Sequence, residues 1–224
     1  MGTLYLIRHG QASFGAADYD NLSALGHKQA VRLGEYFKSK GMAFDGVLVG
    51  TLRRHAQTYA GICEGAGFAY PPLLWPGLNE YDSEAVVNAV HPEPLPTERN
   101  ADTYRQHFRI LKTGLAAWMQ GKTQPIGMPS YPEFVKGVSS ALDHVREQFA
   151  ANEKSKVLIV SSGGPISTAV GHILGTSPET TTELNLRIRN SSITEFAFTP
   201  KRHMLVTYNT LPHLEELPDW VTYA

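Results

Sequence analysis

Three short apolar runs, Leu4-Tyr5-Leu6-Ile7, Val47-Leu48-Val49 and Val157-Leu158-Ile159-Val160, constrain this chain more than any other feature. Each is apolar without alternation, as expected of a strand covered on both faces in a parallel sheet. A helical pattern follows each one. After the first run, Ser23 offers a cap, and Ala30, Leu33 and Phe37 recur at helical spacing. Residues 53–64 follow the second run, and residues 165–174 follow the third, with Pro165 suited to a first turn. Strand alternating with helix predicts an α/β fold, three layers deep, with a mainly parallel sheet.

The middle of the chain reads differently. It opens with His91-Pro92-Glu93-Pro94-Leu95-Pro96 and then turns helical, with Tyr104, Phe108, Leu111, Leu115 and Trp118 on one face. Residues 121–131 read as loop. A second helix follows, with Phe134, Val138, Leu142, Val145 and Phe149 as its buried stripe. Residues 81–131 are too few for a secure core of their own. We therefore read 1–224 as one domain and 81–131 as a partly helical cap inserted into it. Near the end, residues 184–189, 193–198 and 204–208 are expected to be strands separated by turns.

Composition excludes several classes. Twenty Lys and Arg against twenty-one Asp and Glu leave a formal charge of -1, without the basic excess of a nucleic-acid or membrane-surface binder. No apolar run reaches the length of a membrane span. The N-terminal segment lacks the basic start and cleavage site of a signal peptide, and Leu6 breaks a myristoylation signal. Cys63 is the only cysteine, so an internal disulfide and a thiolate zinc site are both ruled out. A cytoplasmic protein is expected. No histidines form a close ligand pair, and no metal or cofactor is expected. The choice between monomer and homodimer is left open.

Open parallel sheets bind ligands beyond the carboxyl ends of their strands. Here those ends carry Arg8-His9-Gly10, residues 50–54 with two arginines, and Ser161-Ser162-Gly163-Gly164 entering a helix. A Ser/Gly turn at a helix start presents backbone N–H groups to an anion, and arginine forks match phosphate oxygens. Each segment alone has an ordinary structural explanation. Together they predict a phosphate or carboxylate pocket containing an imidazole, which could act as base, acid or nucleophile. Gly163-Gly164 lacks the third glycine of a dinucleotide fingerprint, Gly121-Lys122-Thr123 lacks the earlier glycine of a P-loop, and Ser162 is not in a nucleophile elbow.

These same residues resemble the histidine phosphatase superfamily, also called phosphoglycerate mutase-like. Leu6-Ile7-Arg8-His9-Gly10-Gln11 is similar to its Arg-His-Gly signature. Leu22-Ser23-Ala24-Leu25-Gly26, Leu52-Arg53-Arg54-His55-Ala56-Gln57-Thr58 and Leu78-Asn79-Glu80 resemble its further motifs, in order. The strand through Val157 to Gly164 resembles one that normally ends Ser/Thr-His-Gly-Gly. The resemblance implies a phosphatase acting on a phosphorylated small molecule, with His9 as nucleophile, Arg8 and Arg54 clamping the phosphoryl oxygens, and Glu80 as proton donor. Gly10, Gln11, Ser162 and Gly163 would line the phosphate pocket.

Two departures stand out. Ser162 occupies the position of the family's second histidine. Exchanging a charge-assisted donor for a neutral one gives up about 1–2 kcal/mol, or roughly a five- to thirtyfold loss in rate. Attenuated activity is therefore expected, with a weakly catalytic or non-catalytic phospho-ligand binding module as the alternative. His172 would lie about 15 Å along the following helix. His55 adjoins Arg54, and adjacent helical positions point in different directions; if another residue fills the missing histidine's role, His55 or His91 from the cap is the first to test. The second departure is in the cap, which has no match to the Arg-rich segment of the mutases. Gly15 also stands where they have Asn, so a mutase is the less favoured reading.

Overall fold

A computed structural model describes residues 1–13, 20–93 and 101–223. Its sheet contains β1 (Gly2–Arg8), β2 (Gly46–Val49), β3 (Leu73–Leu74), β4 (Lys156–Ser161), β5 (Ile193–Phe198) and β6 (His203–Thr210). The strand order is β3-β2-β4-β1-β5-β6. The first four strands in this order run parallel, and β5 and β6 are antiparallel additions at one edge. The fold is α/β, as the three apolar runs required.

Those runs are continuous because each strand feeds two cores. Leu4, Leu6, Leu48, Val157 and Ile159 point to one face, while Ile7, Val47, Val49, Leu158 and Val160 point to the other. The second face is covered by α1 (Ala24–Ser39) and α2 (Arg53–Ala66), through Leu33, Phe37 and Ile62. The first face is covered by α5 (Tyr131–Phe149) and α6 (Gly163–Leu174). Successive side chains of a strand face opposite sides, so burial on both sides removes polar alternation.

Between β3 and α5 lie α3 (Ser83–Asn88) and α4 (Ala101–Met119). Val86, Val87, Leu111, Leu115 and Trp118 belong to the same hydrophobic cluster as Leu6 and Leu48. The predicted face of α4 is therefore buried at its C-terminal end, whereas Tyr104 is half exposed. Sequence reasoning missed α3, although Asp82 caps it by accepting from the N–H groups of Glu84 and Ala85 at 2.9 and 3.0 Å. Pro94 to Pro96 and Gly15 lie outside the described residues.

One expected strand is a helix. The alternation of Leu184, Leu186 and Ile188 predicts an extended segment over residues 184–189. They instead contain the end of α7 (Pro178–Arg187) and its exit. The start signal was present in Ser177-Pro178-Glu179: Ser177 Oγ accepts from Thr180 N–H, proline sits in the first turn, and Glu179 complements the helix dipole. Leu184 and Leu186 are only partly buried against the core, so their alternation reflects no pleated surface.

Candidate active site

Sheet register brings the three strand ends together. Arg8 of β1 pairs with Ser161 of β4, and Val49 of β2 pairs with Val160. The ladder extends one residue beyond the strands, with His9 N–H donating to Ser161 O at 2.9 Å and Gly50 N–H to Val160 O at 3.1 Å. The chain leaves the sheet at three adjacent points. That placement puts His9, the N-terminus of α2 and the N-terminus of α6 side by side.

His9 is 3% exposed. Its Nδ1 lies 2.7 Å from the carbonyl oxygen of Gly10. A carbonyl can only accept, so this contact places the hydrogen on Nδ1 and the lone pair on Nε2. Nε2 has no hydrogen-bond partner among the described residues. Burial, followed by the charges of Arg8 and Arg54 and then His55, holds the imidazole well below its ordinary pKa. The ring is therefore neutral, with a lone pair to give.

Gly10 is required by contact. A Cβ there would lie 2.3 Å from the carbonyl oxygen of Gly26. Its N–H donates to Thr58 Oγ1 at 3.1 Å, and that hydroxyl donates to Arg54 O at 2.7 Å, tying the end of β1 to α2. Gln11 turns toward α1: its Oε1 accepts from Ser23 Oγ at 2.8 Å, and its N–H donates to Gln29 Oε1 at 2.8 Å.

The two guanidinium groups are held differently. Arg8 Nη1 donates to the carbonyls of Ile188 and Tyr223, so the C-terminal segment anchors it. Arg54 Nη1 pairs with Asp20 Oδ1 at 2.8 Å. Asp20 also accepts from the N–H of Arg53 at 2.8 Å and thereby caps α2, whose own N-cap, Leu52, has no side chain able to do so. Nothing local in the sequence marks Asp20 for this role, because the helix it caps starts 33 residues later.

Glu80 is half-buried. Its Oε1 accepts from Gly164 N–H at 3.0 Å and from Tyr81 N–H at 3.2 Å. A Cβ on residue 164 would stand 2.1 Å from Oε1, so the first turn of α6 can receive the carboxyl only because glycine is there. Burial raises the Glu80 pKa. Arg54, the Gly164 N–H, Arg8 and the Tyr81 N–H oppose that rise without cancelling it. Desolvation wins, and the carboxyl keeps its proton to higher pH than an exposed glutamate does.

Ser162 and Gly163 begin α6, and both are buried. Ser162 Oγ lies 2.6 Å from His55 Nε2. Of the two histidines considered for the missing role, His55 and His91, this contact brings His55 to the strand ends although its helical neighbour Arg54 points elsewhere. His55 is fully buried, with its ring centroid 5.8 Å from that of His9. Adjacent helical side chains do diverge, but the site lies at the end of α2 and extends from Asp20 on one side to Ser162 on the other. Arg54 and His55 diverge to its two sides. His172 is exposed in the last turn of α6.

Among the described residues, no group of three or more His, Cys, Asp or Glu is placed to hold a metal ion. No helix among them is long and apolar enough to cross a membrane.

The fold and this edge of the sheet define an α/β protein that gathers a neutral imidazole, two guanidinium groups and a carboxyl whose pKa burial raises. The profile of the histidine phosphatase superfamily (branch 1) matches residues 4–211, and the chain belongs to that superfamily. Its fold is shared with phosphoserine phosphatase from Entamoeba histolytica, solved with 3-phosphoglyceric acid. The two are 23% identical, with a TM-score of 0.65 over 96% of this chain and 100% of that one. Phosphoglycerate mutase from Bacillus anthracis is 16% identical, with a TM-score of 0.66 over 95% and 94% of the two chains. Mycobacterial glucosyl-3-phosphoglycerate phosphatase is 20% identical, with a TM-score of 0.66 over 93% and 98%. No curated protein matches the chain in sequence.

Proposed function

We propose that the protein is a metal-independent phosphatase that hydrolyses a phosphorylated small molecule through a phosphohistidine on His9. The observation that carries this reading is the fixed tautomer of His9, with Nδ1 on the Gly10 carbonyl and Nε2 without a partner among the described residues. In the first step the Nε2 lone pair forms the N–P bond as the P–O ester bond breaks. Glu80 gives its proton to the departing alkoxide, which leaves as an alcohol. In the second step Glu80, now a carboxylate, takes a proton from water. The water oxygen bonds to phosphorus, the N–P bond breaks, and inorganic phosphate leaves with His9 neutral again. Arg8 and Arg54 offset the charge that develops on the phosphoryl oxygens.

Superfamily membership and the phosphatases that share the fold support this reaction class. We read residues 81–131 as the cap that selects the substrate, and the cytoplasm as the compartment, consistent with a single free cysteine. The test is to mix the enzyme with a phosphomonoester and quench it rapidly. An acid-labile, base-stable phosphate on His9 is expected, with both label and turnover lost in His9→Ala. Undiminished turnover in His9→Ala overturns the covalent mechanism.

A further inference from the structure

The mechanism above uses one imidazole, and the structure holds a second beside it. His55 stands beside His9 in the first turn of α2, with its ring tilted 37° to that of His9. We propose that His55 is the second imidazole of the phosphoryl site, supplied by α2 instead of by the end of β4, with Ser162 as its anchor and its link to the phosphoryl group. This rests on the phosphatase reading. It also changes what Ser162 means: the expected attenuation assumed a serine acting alone, and this serine is paired.

Three observations support the assignment. The first is the 2.6 Å contact between Nε2 and Ser162 Oγ, joining two side chains that are both fully buried. A histidine at residue 162 would have to enter the space that His55 now fills.

The second is the room made for the ring. A Cβ on Gly50 would lie 2.2 Å from His55 Nδ1, so any side chain at that strand end would expel the imidazole.

The third is a count of hydrogens. The neutral pair owns one N–H and one O–H, and the short bond between them uses one. If Nε2–H donates to Oγ, the hydroxyl hydrogen has no acceptor among the described residues. If the hydroxyl donates to Nε2, the hydrogen on Nδ1 is directed at the backbone of Gly50, an interaction that opposes the fall of the His55 pKa on burial. In the first tautomer a buried donor is left over, a situation proteins avoid. A phosphoryl oxygen carried by His9 would supply the missing acceptor for the hydroxyl. The first tautomer then forms a chain from imidazole N–H to serine O–H to phosphoryl oxygen.

Electrostatics agree with this arrangement. Burial, followed by the charge of Arg54, pushes the His55 pKa down to about 3, so the free site carries no third cation beside the two arginines. A phosphoryl dianion offsets the charge of the two arginines, which makes protonation of His55 less unfavourable once substrate is bound. The imidazole acts through Ser162, which makes it a positioning residue.

A relocation experiment tests this with wild type, His55→Ala, His55→Phe, Ser162→His and the double variant His55→Ala/Ser162→His. Turnover of p-nitrophenyl phosphate, vanadate affinity and melting temperature are measured for each. His55→Ala and His55→Phe are expected to lower kcat/KM and weaken vanadate binding by about 10- to 100-fold, somewhat less than loss of a direct donor to a developing anion. His55→Phe keeps a ring in the space, so its losses read chemistry and not packing. Ser162→His alone gains nothing. The double variant, with the imidazole moved to β4, recovers most of what His55→Ala loses.

The proposal is overturned if His55→Phe keeps wild-type turnover and vanadate affinity. It is equally overturned if a folded double variant is no better than His55→Ala. If either alanine-bearing protein fails to fold, His55→Phe and His55→Gln decide on the same readouts. A wild type without turnover or phosphohistidine defeats the phosphatase reading instead, and vanadate affinity across the set still tests the place of His55 in the pocket.

Discussion

Two buried serine–histidine pairs lie near the sheet, and chemically they are alike. His55 Nε2 meets Ser162 Oγ at 2.6 Å, and His213 Nε2 meets Ser191 Oγ at 2.9 Å. In both, burial and a neighbouring arginine push the imidazole down to about 3. The surroundings differ. His55 faces His9 and Arg54 at the strand ends. His213 packs on Tyr36 beside Arg32, and its serine partner uses its backbone N–H to hold the His9 carbonyl. The second pair therefore supports the backbone of His9, while the first lies beside its ring. A buried neutral histidine is not a site by itself. It becomes part of one in the company of an unengaged Nε2, guanidinium groups and a carboxyl.

The largest effect that could break this contrast comes from Arg54. Its replacement by alanine should cost about 10²–10³ in rate, as loss of a preorganised donor to a developing anion does. Its charge also lowers the pKa values of both His9 and Glu80. Under the proposed mechanism, kcat/KM of the free enzyme should fall in acid as His9 gains a proton and in alkali as Glu80 loses one. The acid limb should lie below the ordinary imidazole value of 6.5, and the alkaline limb above the ordinary carboxyl value of 4.5. Without Arg54 both pKa values rise, so both limbs should move to higher pH. A profile that drops in height but keeps its limbs would place Arg54 outside the field of both groups.

Glu80→Gln should have a smaller and more selective effect. The amide keeps the shape of the carboxyl but has no proton to give. Alkyl phosphates, whose leaving alkoxides need protonation, should slow by about 10²-fold or more, within the usual range for a positioned general acid. p-Nitrophenyl phosphate should slow far less. Equal losses for the two substrate types would remove Glu80 as the proton donor.

Much of this was legible in the sequence, for reasons tied to particular residues. The β1, β2 and β4 runs had to be parallel strands because both of their faces are apolar. Their ends had to be neighbours, so Arg8, His9, Arg54 and Ser162 could be placed together before any coordinates. Contacts made at long range were not legible. Asp20 caps a helix that starts 33 residues later, and His55 meets a serine 107 residues away. The helical-wheel rule that separated Arg54 from His55 holds along a helix axis, but both residues lie in its first turn, where the site wraps the end. Strand alternation misled at Leu184 and Leu186 because two leucines spaced by two fit a partly buried helix equally well, and the stronger signal was the cap at Ser177.

The smallest expected effect belongs to His213, and it separates support from chemistry. His213→Leu keeps the volume but leaves Ser191 Oγ without its imidazole partner. An unsatisfied buried hydroxyl costs about 1–3 kcal/mol, so the variant should be less stable than wild type by that amount at pH 7.5. Turnover, measured well below the melting temperature, should stay near wild type because no group facing the phosphoryl pocket has changed. The pH dependence runs the other way. In the unfolded chain this imidazole takes a proton near its ordinary 6.5, whereas in the folded protein it resists until about 3. Between those values the unfolded state binds more protons, so wild-type stability declines as pH falls through that window. By pH 4.5 the share lost through His213 is about 2–3 kcal/mol, and the leucine variant is spared it. Urea unfolding of the two proteins should therefore show a gap at pH 7.5 that closes or changes sign by pH 4.5. A gap that stays constant would mean the folded imidazole titrates near its ordinary value. A large loss of turnover at neutral pH would mean that the His213–Ser191 pair belongs to the phosphoryl pocket, and the contrast with His55–Ser162 would fall.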